Sequence, residues 1–298
     1  MPSTAAATAF GRVLTAMVTP FRADGSLDLD AAQRLASHLV DQGHDGLVIS
    51  GTTGESPTTS DEEKERLLRA VLEAVGDRAR VVAGSGTNDT HHTIELSRAA
   101  EKAGAHGLLI VTPYYNKPPQ EALVRHFVAA ADAVELPVML YDIPGRTGTP
   151  IEHDSLLRLA EHERILAVKD AKGDLFEGSR VMAATDLAYY SGDDPMNLAW
   201  LTHGAAGVVS VVGHVHGSDY AAMVAAVDDG DLSGALAIHR RLIPAVRAIM
   251  DRSSQGAIRA KAALQLAGVI AHRTVRAPLI DATDDEVARL REALGTVA

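Results

Sequence analysis

The sequence predicts an α/β fold: a (β/α)8 TIM barrel over residues 1–230, then a C-terminal helical extension over 231–298. Three observations carry that prediction. Eight short β-rich runs alternate with helical patterns, and such alternation builds a parallel sheet. The runs recur at intervals of about 20–35 residues, which fits a closed eight-stranded barrel. After the eighth run the pattern becomes wholly helical. A doubly wound open sheet is the competing architecture. It requires a glycine-rich nucleotide turn after the first strand, and Val18-Thr19-Pro20-Phe21 does not supply one.

Val13–Val18 is the first strand, followed by a helix over Asp30–Gln42. Leu47–Ser50 is the second, and Asp61–Val75 its helix, with Leu67, Leu68, Val71 and Val75 on one face. Ser60 and Glu63 form a capping box at the start of that helix. Val81–Ala83 leads to the helix Thr90–Ala103, and Leu108–Val111 to Gln120–Ala133. Val138–Tyr141 precedes His153–Glu161, and Ile165–Val168 precedes Leu175–Ala184. Ala188–Tyr190 precedes Asp194–His203, and Val208–Val212 closes the set. Gly43, Gly76 and Gly104 stand where helix C-caps are expected. Tyr220–Val227 reads as the last barrel helix. Leu232–Met250, Ala257–Gly268 and Asp284–Leu294 read as the extension. Met1-Pro2-Ser3-Thr4 and the alanines after it lack a basic n-region and read as a short disordered lead, not a signal peptide.

The composition narrows the function classes. A net charge of −11, from 39 acidic and 28 basic residues, argues against a nucleic-acid or anionic-membrane surface. Cysteine is absent, so neither a disulfide nor a thiolate nucleophile is available. No apolar run approaches the ~20 residues of a membrane span. A cytoplasmic protein is the expectation.

In such a barrel the chemistry gathers where strands end and βα loops begin. Lys169 ends the apolar run Ile165-Leu166-Ala167-Val168. Desolvation lowers a lysine's pKa, and a neutral amine attacks carbonyls, so Lys169 is a candidate Schiff-base nucleophile. A strand-end lysine reaching solvent on its flexible stem is the plainer alternative. The second strand runs into Gly51-Thr52-Thr53-Gly54-Glu55, where two glycines flank two hydroxyls; such a turn suits a carboxylate, though Gly, Ser and Thr also dominate ordinary loops. Tyr114 and Tyr115 are adjacent in a proline-rich loop of a chain holding six tyrosines; packing or an interface contact is the simpler role. The fifth strand ends in Tyr141, whose hydroxyl can relay protons over the barrel mouth. Arg146 follows in a glycine-bounded loop and can grip a carboxylate with its planar fork, or form a surface salt bridge. Asp193 and Asp194 in the seventh loop would repel a phosphate. A metal-dependent aldolase would use His214, His216, Asp193 and Asp194, residues more often found as ordinary loop polar groups.

The four motifs Gly51–Glu55, Tyr114–Pro118, Tyr141–Gly148 and Val168–Asp170 fall in order on successive strand ends. Together they resemble the dihydrodipicolinate synthase / N-acetylneuraminate lyase family of class I aldolases, over nearly the whole length. The resemblance implies condensation of pyruvate with L-aspartate 4-semialdehyde in lysine and diaminopimelate biosynthesis, through a lysine Schiff base and without cofactor or metal. It implies that Lys169 forms the imine, and that Tyr141, Thr52 and Tyr115 make a proton relay, with Tyr115 inserted from a neighbouring subunit. It implies that Thr53 holds the pyruvate carboxylate, Arg146 binds the aldehyde substrate's carboxylate, and Gly192 and Val209 line the pyruvate pocket. A homotetramer, built as a dimer of dimers, is also implied. The family's sialic-acid and keto-deoxy-sugar lyases are the alternative; they usually lack the Arg-Thr-Gly segment.

Two departures from the family pattern stand out. Asp142 occupies a position where many members have Asn, adding a carboxylate that is expected to shift the pKa of the neighbouring tyrosine. Lysine-inhibited members hold the effector near Ser56, Asn88 and Tyr114. Here Asp61 and Lys64 stand where histidines are common, and His92 where an acid would meet the effector's ammonium. Losing that charge-assisted contact implies weak or absent inhibition by lysine.

Overall fold

The structure is a computed structural model and describes residues 4–251 and 255–295. Eight strands close into a parallel barrel in sequence order: β1 Val13–Ala16, β2 Gly46–Ile49, β3 Arg80–Gly84, β4 Gly107–Val111, β5 Val138–Asp142, β6 Ile165–Asp170, β7 Ala188–Ser191 and β8 Gly207–Ser210. The β1–β8 pairing seals the ring. Strand periodicity sorts the side chains into two cores. Leu47, Ile49, Leu108, Ile110, Leu140 and Val168 face the surrounding helices. Val48, Leu109, Met139, Ala167 and Val209 fill the barrel interior. Both faces are buried, as parallel strands require, so these strands read as near-continuous apolar runs.

The helices are α1 Thr4–Phe10, α2 Leu29–Asp41, α3 Asp61–Val75, α4 Thr90–Ala103, α5 Gln120–Asp132, α6 Pro144–Thr147, α7 His153–Leu159, α8 Leu175–Ala184, α9 Asn197–Thr202, α10 Gly213–Asp228, α11 Leu232–Ile249, α12 Gly256–Leu266 and α13 Asp284–Leu294. Three match the expected bounds before the extension: α3, α4 and α8. The Ser60–Glu63 capping box forms in both directions, at 3.0 and 3.1 Å. Gly104 caps α4 in the left-handed region, and Gly43 lies there just past α2, while Gly76 ends α3 with right-handed backbone.

Several expectations need correction. The segment read as a disordered lead is helix α1 from Thr4 onward; residues 1–3 lie outside the described ones. Ala6 and Phe10 are fully buried in the barrel floor. A Cβ on Gly107 would sit 2.7 Å from the Phe10 ring, so that glycine makes room for the plug. The Tyr190 hydroxyl donates to the Gly11 carbonyl at 2.8 Å and fixes the floor from inside. β8 stops at Ser210, short of the expected Val212. The Val211 and Val212 N–H groups donate to the Asp194 carboxylate at 2.8 and 3.1 Å, so they leave the strand ladder. The expected helix Asp194–His203 splits into a 3-10 turn, Asp194–Met196, and α9, with Pro195 in the first turn. α10 begins at Gly213, before the expected Tyr220, and kinks at His216.

Candidate active site

Register brings the central pair together. Tyr141 on β5 pairs with Lys169 on β6, and neighbours in register on parallel strands point to the same side. A bulge helps set this phase, since Val138 pairs with Ile165 but Met139 with Ala167, leaving Leu166 extra. Ala167 and Lys169 therefore face inward. Lys169 is 4% exposed, and its Nζ lies 4.1 Å from the centre of the Tyr141 ring. Burial lowers its pKa to about 8; Asp194 and Asp193 oppose that fall and Arg146 adds to it. Roughly a tenth of the molecules then carry a neutral amine at pH 7, against well under a thousandth for a free lysine. Burial pushes the Tyr141 phenol up to about 12, with the Arg146 charge and a hydrogen bond from Thr52 opposing. Tyr141 is thus a proton donor at neutral pH.

Gly192, just past β7, gives the lysine its path. A Cβ there would meet Lys169 Cγ at 2.8 Å, and Cε and the Asp170 carbonyl at 3.0 Å. The Gly192 N–H donates to that carbonyl at 2.7 Å. Asp194 clasps the next loop, accepting from Ser210 and Asn197 as well as from the two β8-end amides.

The Gly-Thr-Thr-Gly turn is tightly specified. The Glu55 N–H donates to the Thr52 carbonyl at 3.1 Å and the Ser56 N–H to the Gly51 carbonyl at 3.2 Å. The Thr19 hydroxyl holds the Gly54 carbonyl at 2.6 Å. Ser50 and Glu55 enter and leave the turn with φ of 54° and 57°, a region L-residues seldom adopt. Over this turn lies a cavity of about 200 Å³, lined among others by Thr52, Tyr114, Tyr141, Arg146 and Thr147. Arg146 sits on the one-turn helix α6, and its Nη1 donates to Gln255 Oε1 at 2.5 Å.

The structure thus brings Lys169, Tyr141, Thr52, Arg146 and Gly192 together. Thr53 lies in the same turn, half-buried, and Val209 lies in the apolar interior cluster that also holds Tyr141. Tyr115 stands apart: it is 89% exposed, with φ of 73°, so its ring projects away from its own chain.

Asp142 does not act as expected. It lies on the opposite face of β5 from Tyr141, where its carboxylate accepts the Ile151 N–H at 3.2 Å and meets Lys172 at 3.2 Å. Burial raises its own pKa, with Lys172 opposing. The histidines of the metal reading diverge. His214 is engaged at both ring nitrogens, by the Val18 N–H at 3.0 Å and the Val211 carbonyl at 2.7 Å, while His216 pairs with Asp219. Asp61 pairs with His92 at 2.8 Å and with Lys64 at 3.7 Å, so the three residues that depart from the family pattern form one cluster.

Four supporting residues have no role in the sequence reading: Glu55, which only closes the Gly51–Glu55 motif, and Lys261, Arg276 and Gln255. The Glu55 carboxylate is buried against the Lys261 amine at 2.5 Å and accepts the Arg276 N–H at 2.8 Å. The signal that singled out Lys169, a cation inside an apolar run, was present at Ala260-Lys261-Ala262-Ala263 too. Every residue from Ala257 to Leu264 is buried.

Comparison with known proteins gives the family and the fold. A model of the dihydrodipicolinate synthetase family matches residues 9–296. A protein of Kineococcus radiotolerans named 4-hydroxy-tetrahydrodipicolinate synthase is 69% identical over 281 residues, covering 94% of this chain and 91% of that one. The crystal structure of a dihydrodipicolinate synthase from Bacillus anthracis superposes with a TM-score of 0.92 at 40% identity, covering 96% of this chain and 97% of that one. A Cyanidioschyzon merolae enzyme of that name, crystallised with lysine bound, gives a TM-score of 0.92 at 42% identity, with the same coverage.

Proposed function

The chain belongs to the dihydrodipicolinate synthetase family, and we propose that Lys169 is the amine through which it captures pyruvate. The activity is that of a lyase, a class I aldolase. It condenses pyruvate with L-aspartate 4-semialdehyde through a lysine Schiff base, in lysine and diaminopimelate biosynthesis. The observation that carries the assignment of Lys169 is its buried amine beside Tyr141, with the pKa lowered to about 8.

The residues take the following roles. Neutral Lys169 attacks the keto carbon of pyruvate, while Thr53 and the backbone of its turn hold the carboxylate. The carbinolamine hydroxyl takes a proton from Tyr141 and leaves as water. The resulting iminium acidifies the methyl group, whose proton passes to the Tyr141 phenolate to give an enamine. The enamine carbon adds to the aldehyde of the second substrate, and the new alkoxide takes its proton from the relay that ends in Tyr141. The substrate's own amine then displaces Lys169 and closes the ring. Arg146 grips that substrate's carboxylate. Thr52 bridges Tyr141 to Tyr115, and such acid–base help is commonly worth about 10²–10⁴ in rate. Gly192 and Val209 shape the wall around the imine.

Residues 1–230 form the catalytic barrel in this reading, and 231–298 brace it. The exposed, positive-φ Tyr115 supports a site completed across a subunit contact, hence a homotetramer built as a dimer of dimers. Among the described residues no helix is long and apolar enough to cross a membrane. A cytoplasmic location and a reaction free of cofactor, metal and nucleic acid complete the proposal. Product assays with pyruvate and either L-aspartate 4-semialdehyde or a sugar aldehyde test it: turnover only with the sugar would overturn the substrate assignment.

A further inference from the structure

We propose that Glu55 and Lys261 are positioning residues for pyruvate capture: their buried ion pair fixes the turn that presents Thr52 and Thr53. The inference rests on the reading of that turn as the cradle of the pyruvate carboxylate.

The pair joins two distant parts of the chain. Glu55 ends the turn after β2, and Lys261 lies in the middle of α12, in the C-terminal extension. Lys261 is 0% exposed and Glu55 2%. Both carboxylate oxygens are engaged, Oε1 by the Lys261 amine at 2.5 Å and Oε2 by the Arg276 N–H at 2.8 Å. The amine also donates to the Thr274 carbonyl at 2.8 Å and lies 4.1 Å from the centre of the Phe21 ring. Neither charged group lines the cavity over the turn. Both act on it through the backbone.

Burying two charges is an expensive way to join two segments, and apolar packing of equal volume often holds them as well. What the ion pair adds is direction. Glu55 holds left-handed backbone, with φ of 57° and ψ of 37°, which a non-glycine residue keeps only when its surroundings over-determine it. The Glu55 side chain is clamped at both oxygens, and its N–H is the donor to the Thr52 carbonyl. The clamp is therefore one residue's backbone removed from the Thr52 peptide. Arg276 adds a second tether, donating to the Thr58 carbonyl at 2.8 Å and to Glu63, the partner of Ser60 in the capping box of α3, at 2.6 and 2.7 Å. The extension thus sets the orientation of the cradle, while Lys169 and Tyr141 are held independently by the barrel.

The test compares wild type with Glu55→Gln and with Glu55→Gln/Lys261→Met, which removes both charges and keeps the volume. Thermal unfolding, kcat, both substrate KM values and borohydride trapping at Lys169 are measured on each. In the folded double variant the pyruvate KM should rise about tenfold, the loss of roughly one well-placed hydrogen bond. The aldehyde KM should stay within about twofold, and Lys169 should still be trapped at saturating pyruvate. A purely structural role lowers the melting temperature and leaves the pyruvate KM unmoved; that result in a folded variant overturns the proposal. Should the double variant not fold, Glu55→Gln decides. It sets an amide N–H against one of the two donors, and an unchanged pyruvate KM there overturns the proposal equally. Wild type that forms no adduct at Lys169 sinks the catalytic reading instead.

Discussion

Gly192→Ala is a one-carbon test of how Lys169 is held. The new methyl would sit 2.8 Å from Lys169 Cγ and 3.0 Å from both Lys169 Cε and the Asp170 carbonyl. Ordinary contact begins near 3.4 Å, so the lysine stem must move by roughly 0.6 Å at Cγ. Cγ is near the root of the side chain, and the carbonyl belongs to the backbone of β6, so neither yields easily. A shift at the root is magnified at Nζ, three bonds further on. Overpacking of this kind costs about 1–3 kcal/mol of stability. Misplacing a reacting group by ~1 Å costs on the order of 10²-fold in rate. Initial-rate kinetics should therefore show kcat/KM reduced by about 10²-fold, with the chain still folded by thermal unfolding. A folded variant within about threefold of wild type would refute the claim that Gly192 sets the lysine's path.

The amine's lowered pKa makes the rate of pyruvate capture rise with pH through about 8, because the ammonium form is not a nucleophile and the neutral form is. A pH profile of imine formation whose inflection lies near the ordinary lysine value, above 10, would contradict the buried, desolvated amine. Arg146→Ala should raise the semialdehyde KM by about 10–100-fold and leave pyruvate binding nearly intact, by loss of a charge-assisted carboxylate contact. Gln255→Ala should have a smaller effect of the same kind, since Gln255 only orients the guanidinium. Lysine at millimolar concentration should not inhibit, because Asp61, Lys64 and His92 engage one another where an effector's ammonium would need a free acid; calorimetry showing micromolar lysine binding would refute that proposal.

The barrel was readable because each strand is buried on both faces and each helix on one. Period and length therefore separate them, as at Leu108–Val111 and Asp61–Val75. Strand ends were harder. Val211 and Val212 look like β8, and only the distant Asp194 carboxylate takes their N–H groups away. The first helix was missed because an alanine-rich stretch carries no amphipathic stripe; what orders it is the fit of Phe10 into the barrel floor. Lys169 was legible as a cation closing an apolar run. Lys261 gave the same local signal, but its partner lies 206 residues away in sequence, and nothing local announces the pairing. Asp142 was misjudged because adjacency in sequence puts two strand residues on opposite faces: Tyr141 points into the barrel and Asp142 towards Lys172.

Borohydride reduction in the presence of pyruvate, followed by peptide mass analysis, tests the buried nucleophile most directly. One reduced pyruvate per chain should appear, confined to the peptide that carries Lys169, and Lys169→Ala should take up none. A label on Lys172 or Lys261, or an unlabelled wild-type chain that still turns over, would contradict the account.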